Sequence, residues 1–414
     1  MVSLNLVMGR ARRHVEDIIR SQIADVKQRG LLNPNVDPRA KFHLDTTKIA
    51  FHQERVAAWM RGERVAPITI DMALTQKCSY ACTFCYAGLQ QYPSAPVPWE
   101  AYENFLDDCV AIGHKPGEGV KAISLVSDGE STENPDYYRF IRKGKANGID
   151  MASGTNGLKF VKEEMSSLVD FLTYLRINFN AAEPAAYAEI MGTPEPNYYK
   201  VIENIKELVR LKKERRSNVT IGLQMVLMPE YADQVIPLAL LGKELGVDYT
   251  VIKHCSDDEE GRLGVDYAWY NSELAVELLK AAEALSTPEY SVQAKWSKIR
   301  TGRQRKYSKC FGTPLLLQMS GTGIVAPCGS FFHERYKRYH IGDIKEKRFK
   351  DIWASEEYQE VMSFLASEKF DARRMCETLC LQDKVNEALN ELREHNIPLP
   401  DVTGKPLPMH LNFI

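Results

Sequence analysis

A chain of 414 residues, 44% hydrophobic and 26% charged, is long enough for a barrel-sized domain with smaller additions and has no bias toward disorder. Its formal net charge of −2 excludes a global field that would recruit nucleic acid or an anionic membrane. The N-terminus is too polar for a secretory signal and no stretch has the apolar length of a membrane span, so a cytoplasmic protein with no membrane partner is expected. In that compartment thiols stay reduced, and nine cysteines read as ligands, nucleophiles or buried apolar groups rather than disulfides.

Residues 1–66 carry two amphipathic stretches, VEDIIRSQIADVKQRG and TTKIAFHQERVAAWMRG, read as a helical extension capping one face or end of the main domain. From residue 67 short apolar runs alternate with helical periodicity. APITIDMAL, KAISLVS, IDMASGTNG, TYLRINFN, NVTIGLQMVL and DYTVIKHC are strand candidates. WEAYENFLDDCVAIGH, PDYYRFIRKGKANG, KEEMSSLVDFL, YYKVIENIKELVRLKKE and YADQVIPLALLGKELG are the helices between them. Six strands alternating with helices predict parallel βα units over residues 67–270, hence a partial (β/α)6 TIM-like barrel in the α/β class. The strand ends where such a fold places its chemistry carry CSYAC, SDGES, SGTNG, RINFN and KHCSDD. The series stops near residue 270. Residues 271–309 form a linker helix and a basic stretch, 310–385 a small α+β unit opened by a hairpin with GTG at its turn, and 386–414 a tail.

The first strand ends at CSYACTFCY, which places Cys78, Cys82 and Cys85 within eight positions. A closed zinc site wants four ligands, and residues 70–95 supply neither a fourth cysteine nor a histidine. Three thiolates in one loop suit a [4Fe–4S] cluster with one iron open to a small-molecule ligand. The Cys-x₃-Cys-x₂-Cys spacing, with Phe84 before the last cysteine, resembles the signature of the radical S-adenosylmethionine (SAM) superfamily. That resemblance implies that SAM chelates the open iron and that its reductive cleavage gives a 5′-deoxyadenosyl radical. It also implies further SAM contacts. Gly129 and Glu130, in Ser127-Asp128-Gly129-Glu130, are similar to the family's glycine–glycine–glutamate motif, with Asp128 in place of the first glycine. Ser153 and Asn156 are similar to its third-strand end, and Arg176 and Asn178 share one strand face toward the SAM ribose and carboxylate, a salt bridge from Arg176 to a barrel acid being the alternative.

Cys310 and Cys328 flank the hairpin, and Cys376 and Cys380 lie one helical turn apart. Four cysteines suit a closed site, with zinc as one reading. Their order resembles the C-terminal twitch extension, a shortened SPASM domain, which implies one auxiliary [4Fe–4S] cluster. Its complete ligation favours accepting or relaying an electron over gripping substrate. Of the two remaining thiols, Cys109 reads as a buried apolar residue in a helix. Cys255 ends the sixth strand and reads either as a hydrogen-atom donor to a substrate radical or as a pocket-lining or buried thiol.

The basic run over 295–309 is a solvated face or a phosphate-recognition element. Together these readings predict a radical SAM oxidoreductase of dehydrogenase or epimerase type. It would act on a small polar substrate such as a sugar, aminocyclitol or nucleotide-sugar, with a flavodoxin- or ferredoxin-type electron donor and no nucleic-acid partner. Modification of a ribosomal precursor peptide and a non-enzymatic metal scaffold are the rival readings.

Overall fold

The computed structural model describes residues 2–42, 48–89, 95–115, 117–257, 260–301, 304–376 and 380–414. The six expected strands are present as β1 (Thr69–Met72), β2 (Ala122–Leu125), β3 (Asp150–Thr155), β4 (Leu172–Asn178), β5 (Thr220–Leu227) and β6 (Tyr249–His254). They lie side by side in sequence order, every neighbouring pair parallel. Before them come α1 (Val2–Gln28) and α2 (Gln53–Met60), and between them α3 (Trp99–Ala111), α4 (Tyr137–Ala146), α5 (Met165–Phe171), α6 (Pro184–Met191), α7 (Pro196–Arg215) and α8 (Val235–Leu245). Helix α6 has no counterpart among the helices predicted from sequence, because AEPAAYAEIMG is too short for its periodicity to register. Pro184 opens it and Gly192, at φ +56°, ends it.

The βα series runs past residue 270, where the sequence reading ended it. Helix α9 (Glu273–Glu283) leads to a seventh parallel strand, β7 (Ser291–Ala294), and then to α10 (Trp296–Thr301). Its four residues, SVQA, are too few for their alternation to register, and all four are buried. The Gln293 amide donates to the carbonyls of Pro38 and Phe42, both at 2.8 Å, and the Ser291 hydroxyl to that of Pro38 at 2.6 Å, so the donors of this strand are met by the segment that follows α1. At the opposite edge the predicted hairpin forms as β8 (Leu316–Met319) and β9 (Ile324–Ala326), with Gly323 at φ +93° in the turn. Strand β8 pairs in parallel with β1, and β10 (Gly342–Asp343) adds antiparallel to β9, so the hairpin continues the barrel sheet. The order is β10-β9-β8-β1-β2-β3-β4-β5-β6-β7, open between its two edges, and strands β1 to β6 and β8 contribute to one lumen. The chain closes with α11 (Phe349–Ala354), α12 (Glu356–Leu365), α13 (Ala372–Met375) and α14 (Asp383–His395).

Alternation along each strand separates core from site. On β4, Leu175 and Ile177 are fully buried against the helices, while Tyr174, Arg176 and Asn178 face the lumen. The N-terminal extension adds Ile19, Ile23 and Val26 of α1 to the main core, and Lys27 pairs with Glu277 of α9 at 2.9 Å. No helix among the described residues is long and apolar enough to cross a membrane.

The base of the lumen is plugged by residues 410–414. The Thr69 hydroxyl donates to the Asn412 carbonyl at 2.6 Å, and the Thr220 hydroxyl lies 2.8 Å from His410 Nε2. Asn412 donates to Asp150 at 2.8 Å. These partners all sit at strand starts. Rings complete the floor: Phe413 and His410 lie 4.9 and 5.2 Å from Tyr174, and Phe42 packs on Tyr249 at 5.4 Å. Lys48, 8% exposed, donates to the carbonyls of His410 and Phe413 at 2.7 and 3.2 Å.

Burial pushes the Lys48 ammonium down to about 8. Between that value and the ordinary lysine value the unfolded chain holds a proton that the folded chain lacks, so this group makes stability rise with pH across that window. The melting temperature of the wild type should therefore climb relative to that of Lys48→Met between about pH 8 and pH 10. Parallel curves over that range would show that the buried ammonium carries no such penalty.

Candidate active site

The three-cysteine loop leaves β1 and is clamped by backbone contacts to the end of α6. Ala81 and Thr83 donate their N–H groups to the carbonyls of Gly192 and Ile190 at 3.2 and 3.0 Å. A Cβ built on Gly192 would stand 2.1 Å from the Ala81 carbonyl oxygen, so the close approach needs glycine both there and for its positive φ. Tyr80 anchors the loop from below, its hydroxyl 3.0 Å from that of Tyr187. Cys78 and Cys85 are exposed and Cys82 half-buried, and Cys82 feels the charges of both of the others, so the three thiols lie near one another. Burial pushes Cys78 up to about 11 and Cys82 higher still, so iron binding must draw out the thiolates. Among the described residues no group of three or more His, Cys, Asp or Glu side chains closes on a single-ion position. A cube-shaped cluster holds its thiolates farther apart than one zinc ion does, and the donor set fits the cluster.

The second-strand loop explains its own departure from the glycine-rich pattern. Asp128 is buried and accepts from Gln76 Nε2 at 2.9 Å and from the Gly321 N–H at 2.8 Å. One carboxylate thus ties the loop after β1, the loop after β2 and the hairpin turn together. Gly129 follows at φ +114°, where a Cβ would be 2.1 Å from the Thr75 carbonyl oxygen. Glu130 is buried and lines the lumen. Its Oε1 accepts from the Thr132 N–H and from the hydroxyls of Thr132 and Thr155, and its Oε2 from the Asn156 N–H at 2.7 Å. Burial raises its carboxyl above the ordinary range. Oε2 keeps a lone pair for a cationic amine.

Phe84, Gly129, Glu130, Arg176 and Asn178 all line one cavity of about 340 Å³ in the lumen. Ser153 does not. It is fully buried on the outer face of β3, where it accepts from the Tyr137 hydroxyl at 2.9 Å, and Gly154 occupies the lumen face instead. Asn156 reaches toward the cysteine loop, with Nδ2 4.0 Å from Cys78 Sγ. Arg176 closes no ion pair among the described residues. Its charge is felt by Asp71, it lies 5.9 Å from the Tyr174 ring, and its Nε is buried without a hydrogen-bond partner. Asn178 accepts from Gln224 at 2.7 Å.

Cys255 is not a lumen residue. It is fully buried beside Val226 and Met228 behind the cysteine loop, with Sγ 3.9 Å from the Phe84 carbonyl oxygen and the thiol pushed up to about 12, chiefly by burial. Its neighbours Lys253 and Ser256 line the lumen instead, and Asp258 lies outside the described residues. Cys109 is buried in α3 as an apolar residue.

The four C-terminal cysteines come together. Cys376 feels the charges of Cys310, Cys380 and Cys328, and of Arg305, which also faces Cys380. The buried amide of Asn386 reaches two of the sulfurs, with Nδ2 3.6 Å from Cys310 and 3.7 Å from Cys380, while its Oδ1 accepts from the Gly312 N–H at 2.8 Å. Leu381, Asp383, Lys384 and Val385, next in the chain after Cys380, line the lumen. This second thiol site and the lumen therefore share a wall.

Sequence reasoning missed Asp71, Lys48, Lys253 as a lumen residue, and the tail. Asp71 had a signal: a lone carboxylate inside the apolar run APITIDMAL. Its carboxyl is pushed up to about 6 by burial against the opposing pull of Arg176, Lys298 and Lys295.

Residues 72–240 match the Radical SAM superfamily, and residues 310–381 match SPASM, an iron–sulfur cluster-binding domain. An AdoMet-dependent heme synthase of Methanosarcina barkeri is 24% identical over 70% of this chain and 83% of its own length. A tungsten-containing aldehyde ferredoxin oxidoreductase cofactor-modifying protein of Pyrococcus furiosus is 21% identical over 69% of this chain and 81% of its own. Among solved structures, Streptococcus suis SuiB bound to S-adenosylmethionine superposes with a TM-score of 0.57 at 15% identity, covering 76% of this chain and 72% of that one, a likeness of fold.

Two substitutions check the two thiol sites separately. Gly192→Ala should displace the first loop, so that iron per chain falls by about half after reconstitution while the C-terminal site stays loaded. Full loading would contradict the clamp. Asn386→Leu removes two N–H···S contacts, which should lower the reduction potential of the C-terminal site in a spectroscopic titration; an unchanged or higher potential would contradict that role.

Proposed function

This chain belongs to the radical SAM superfamily and carries a C-terminal SPASM iron–sulfur domain, and from that premise we propose that it oxidises a small polar molecule held in the barrel lumen. Cys78, Cys82 and Cys85 would hold the SAM-binding [4Fe–4S] cluster, and Cys310, Cys328, Cys376 and Cys380 the auxiliary one. Once bound, these groups supply hydrogen abstraction by a 5′-deoxyadenosyl radical at the first site and a one-electron acceptor at the second. The observation that carries the oxidative reading is the shared wall, because the residues after Cys380 line the same cavity as Glu130 and Arg176. Withdrawal of hydrogen as atom, electron and proton gives a product two hydrogens lighter than its substrate.

The chain's own groups account for the rest. Glu130 offers its free lone pair to the amine of SAM, and Gly129 lets backbone close on it. Asp71, facing the lumen with its carboxyl near 6, is ionised at neutral pH yet basic enough to take the departing proton. The floor of Tyr174, His410 and Phe413 excludes water from below. The cavity volume favours a sugar-, aminocyclitol- or nucleotide-sized substrate. Burial of Cys255 away from the lumen favours packing over hydrogen-atom donation, and hence oxidation over epimerisation. An external flavodoxin- or ferredoxin-type protein would supply the electron that starts turnover.

Dithionite-reduced enzyme with SAM should form 5′-deoxyadenosine, accelerated by the true substrate in a screen of sugars, aminocyclitols and nucleotide sugars, with product mass two units down. A product of unchanged mass, lost in Cys255→Ala, would overturn the oxidative reading in favour of epimerisation. Asp71→Asn should keep 5′-deoxyadenosine formation and lose at least tenfold in oxidised product. In the wild type, product formation should rise as pH climbs through about 6, where the Asp71 carboxylate becomes available.

A further inference from the structure

Strand β8, LLQM, carries one polar side chain, and its amide donor is left unmet. Leu317 and Met319 pack into the main core, so alternation sends Leu316 and Gln318 to the opposite face. That face is the lumen, which Leu316 lines. The parallel register with β1 sets Leu316 beside Thr69 and Gln318 beside Asp71, both of them lumen residues. Gln318 is 1% exposed, and its Nε2 has no hydrogen-bond partner among the described residues. A buried donor without an acceptor is destabilising, so the site calls for an oxygen atom that the protein itself does not supply.

Gln318 and Asp71 line a side cavity of about 10 Å³, room for one water or one hydroxyl group. Asp71, Val126, Ser127 and Leu381 line both this cavity and the lumen, so the two adjoin. The cavity also borders the C-terminal thiol site, because Gly329 follows Cys328 and Leu381 follows Cys380. A Cβ on Gly329 would stand 2.8 Å from Gln318 Oε1. The amide oxygen is thus packed against Gly329, and Nε2 is the end left for a ligand. Asp128 lines the cavity too, but its carboxylate is taken by Gln76 and Gly321. What a ligand meets is therefore an N–H donor beside the Asp71 carboxylate. A hydroxyl satisfies both, accepting from the amide and donating to the carboxylate, whereas a protonated amine has no lone pair for Nε2.

We propose that Gln318 and Asp71 together hold the oxygen on the substrate's reacting carbon, and that the group oxidised is an alcohol, which leaves as a carbonyl. The inference rests on the functional reading above and narrows it. The C–H hydrogen leaves as an atom to the 5′-deoxyadenosyl carbon, the hydroxyl proton passes to Asp71, and one electron goes to the auxiliary iron–sulfur cluster. The carbon–oxygen double bond then forms, and the product is two hydrogens lighter. As the proton departs, negative charge gathers on the oxygen, where the Nε2–H of Gln318 stabilises it. An aminocyclitol would be oxidised at a hydroxyl-bearing carbon and keep its nitrogen.

A crystal structure of the reconstituted, SAM-bound holoenzyme soaked in glycerol tests the pair without knowledge of the substrate. A glycerol hydroxyl is expected within hydrogen-bond distance of both Gln318 Nε2 and the Asp71 carboxylate, and absent from that position in Gln318→Met. Water alone in the side cavity of the soaked wild type, or an amide turned to a protein acceptor, overturns the inference. Glycerol that persists unmoved in Gln318→Met is an adventitious additive only, and overturns it equally. With the substrate that a screen of sugars, aminocyclitols and nucleotide sugars identifies, the product should be a carbonyl compound formed without release of ammonia. Its kcat/KM should fall at least tenfold in Gln318→Met, or in the isosteric Gln318→Glu if the first variant does not fold. Ammonia release, or an unchanged kcat/KM, overturns the inference and leaves the oxidative reading intact. If the wild type forms neither 5′-deoxyadenosine nor product, the functional reading fails, and the glycerol position still decides whether Gln318 and Asp71 bind a hydroxyl.

Discussion

A parallel strand sends alternate side chains to opposite faces, and the molecule depends on using that alternation to bury charge inside a barrel. The outward residues of β1 to β6 are mostly apolar and fully packed under helices, as Ile123, Leu175 and Ile177 are, with buried polar exceptions such as Ser153 and Thr250. The inward ones include Asp71, Arg176, Asn178, Gln224 and Lys253. Such groups are tolerated because the lumen is a polar cavity with a floor. Parallel strands start at the base with backbone groups and hydroxyls that need partners, and the segment 410–414 supplies them through Thr69, Thr220 and Asp150. Core packing, floor and site are thus one construction.

At the mouth, a second constraint unites the two halves of the chain. Asp128 accepts from Gln76 in the loop leading to the cysteines and from Gly321 in the hairpin turn. Gly321 itself lies so close to Thr75 that a Cβ would meet its backbone at 2.3 Å. The hairpin carrying Cys310 and Cys328 at its ends is therefore locked to the loop carrying Cys78, Cys82 and Cys85. The glycine that the family places at Asp128 could not make this tie. Two thiol sites are thereby held at a fixed separation around one cavity.

Much of this was legible in the sequence. The cysteine spacing, the six central strands and the hairpin each carried a strong local pattern, and alternation alone placed Arg176 and Asn178 on one lumen-facing edge. Ser153 rested on the resemblance of SGTNG to the family's third-strand end alone, whereas β3 runs through Thr155 and its parity sends Ser153 to the outer face. Cys255 follows the last residue of β6, where the chain bends away and the parity rule ends. Strand β7 was too short and too polar to announce itself, and the tail has no periodicity because its order comes from partners hundreds of residues away. The lumen cations Lys48, Arg176, Lys253, Lys295, Lys298 and Lys384 come from five separated segments, so composition, at a net charge of −2, gave no hint of them.

The most direct test of the account is the iron and sulfide content of anaerobically reconstituted protein, read with electron paramagnetic resonance after reduction. Two clusters predict about eight irons per chain, falling to about four with a persistent auxiliary signal when Cys78, Cys82 and Cys85 are replaced together. About four irons in the wild type, with zinc at the C-terminal cysteines, would contradict it, since no electron acceptor would then stand beside the lumen.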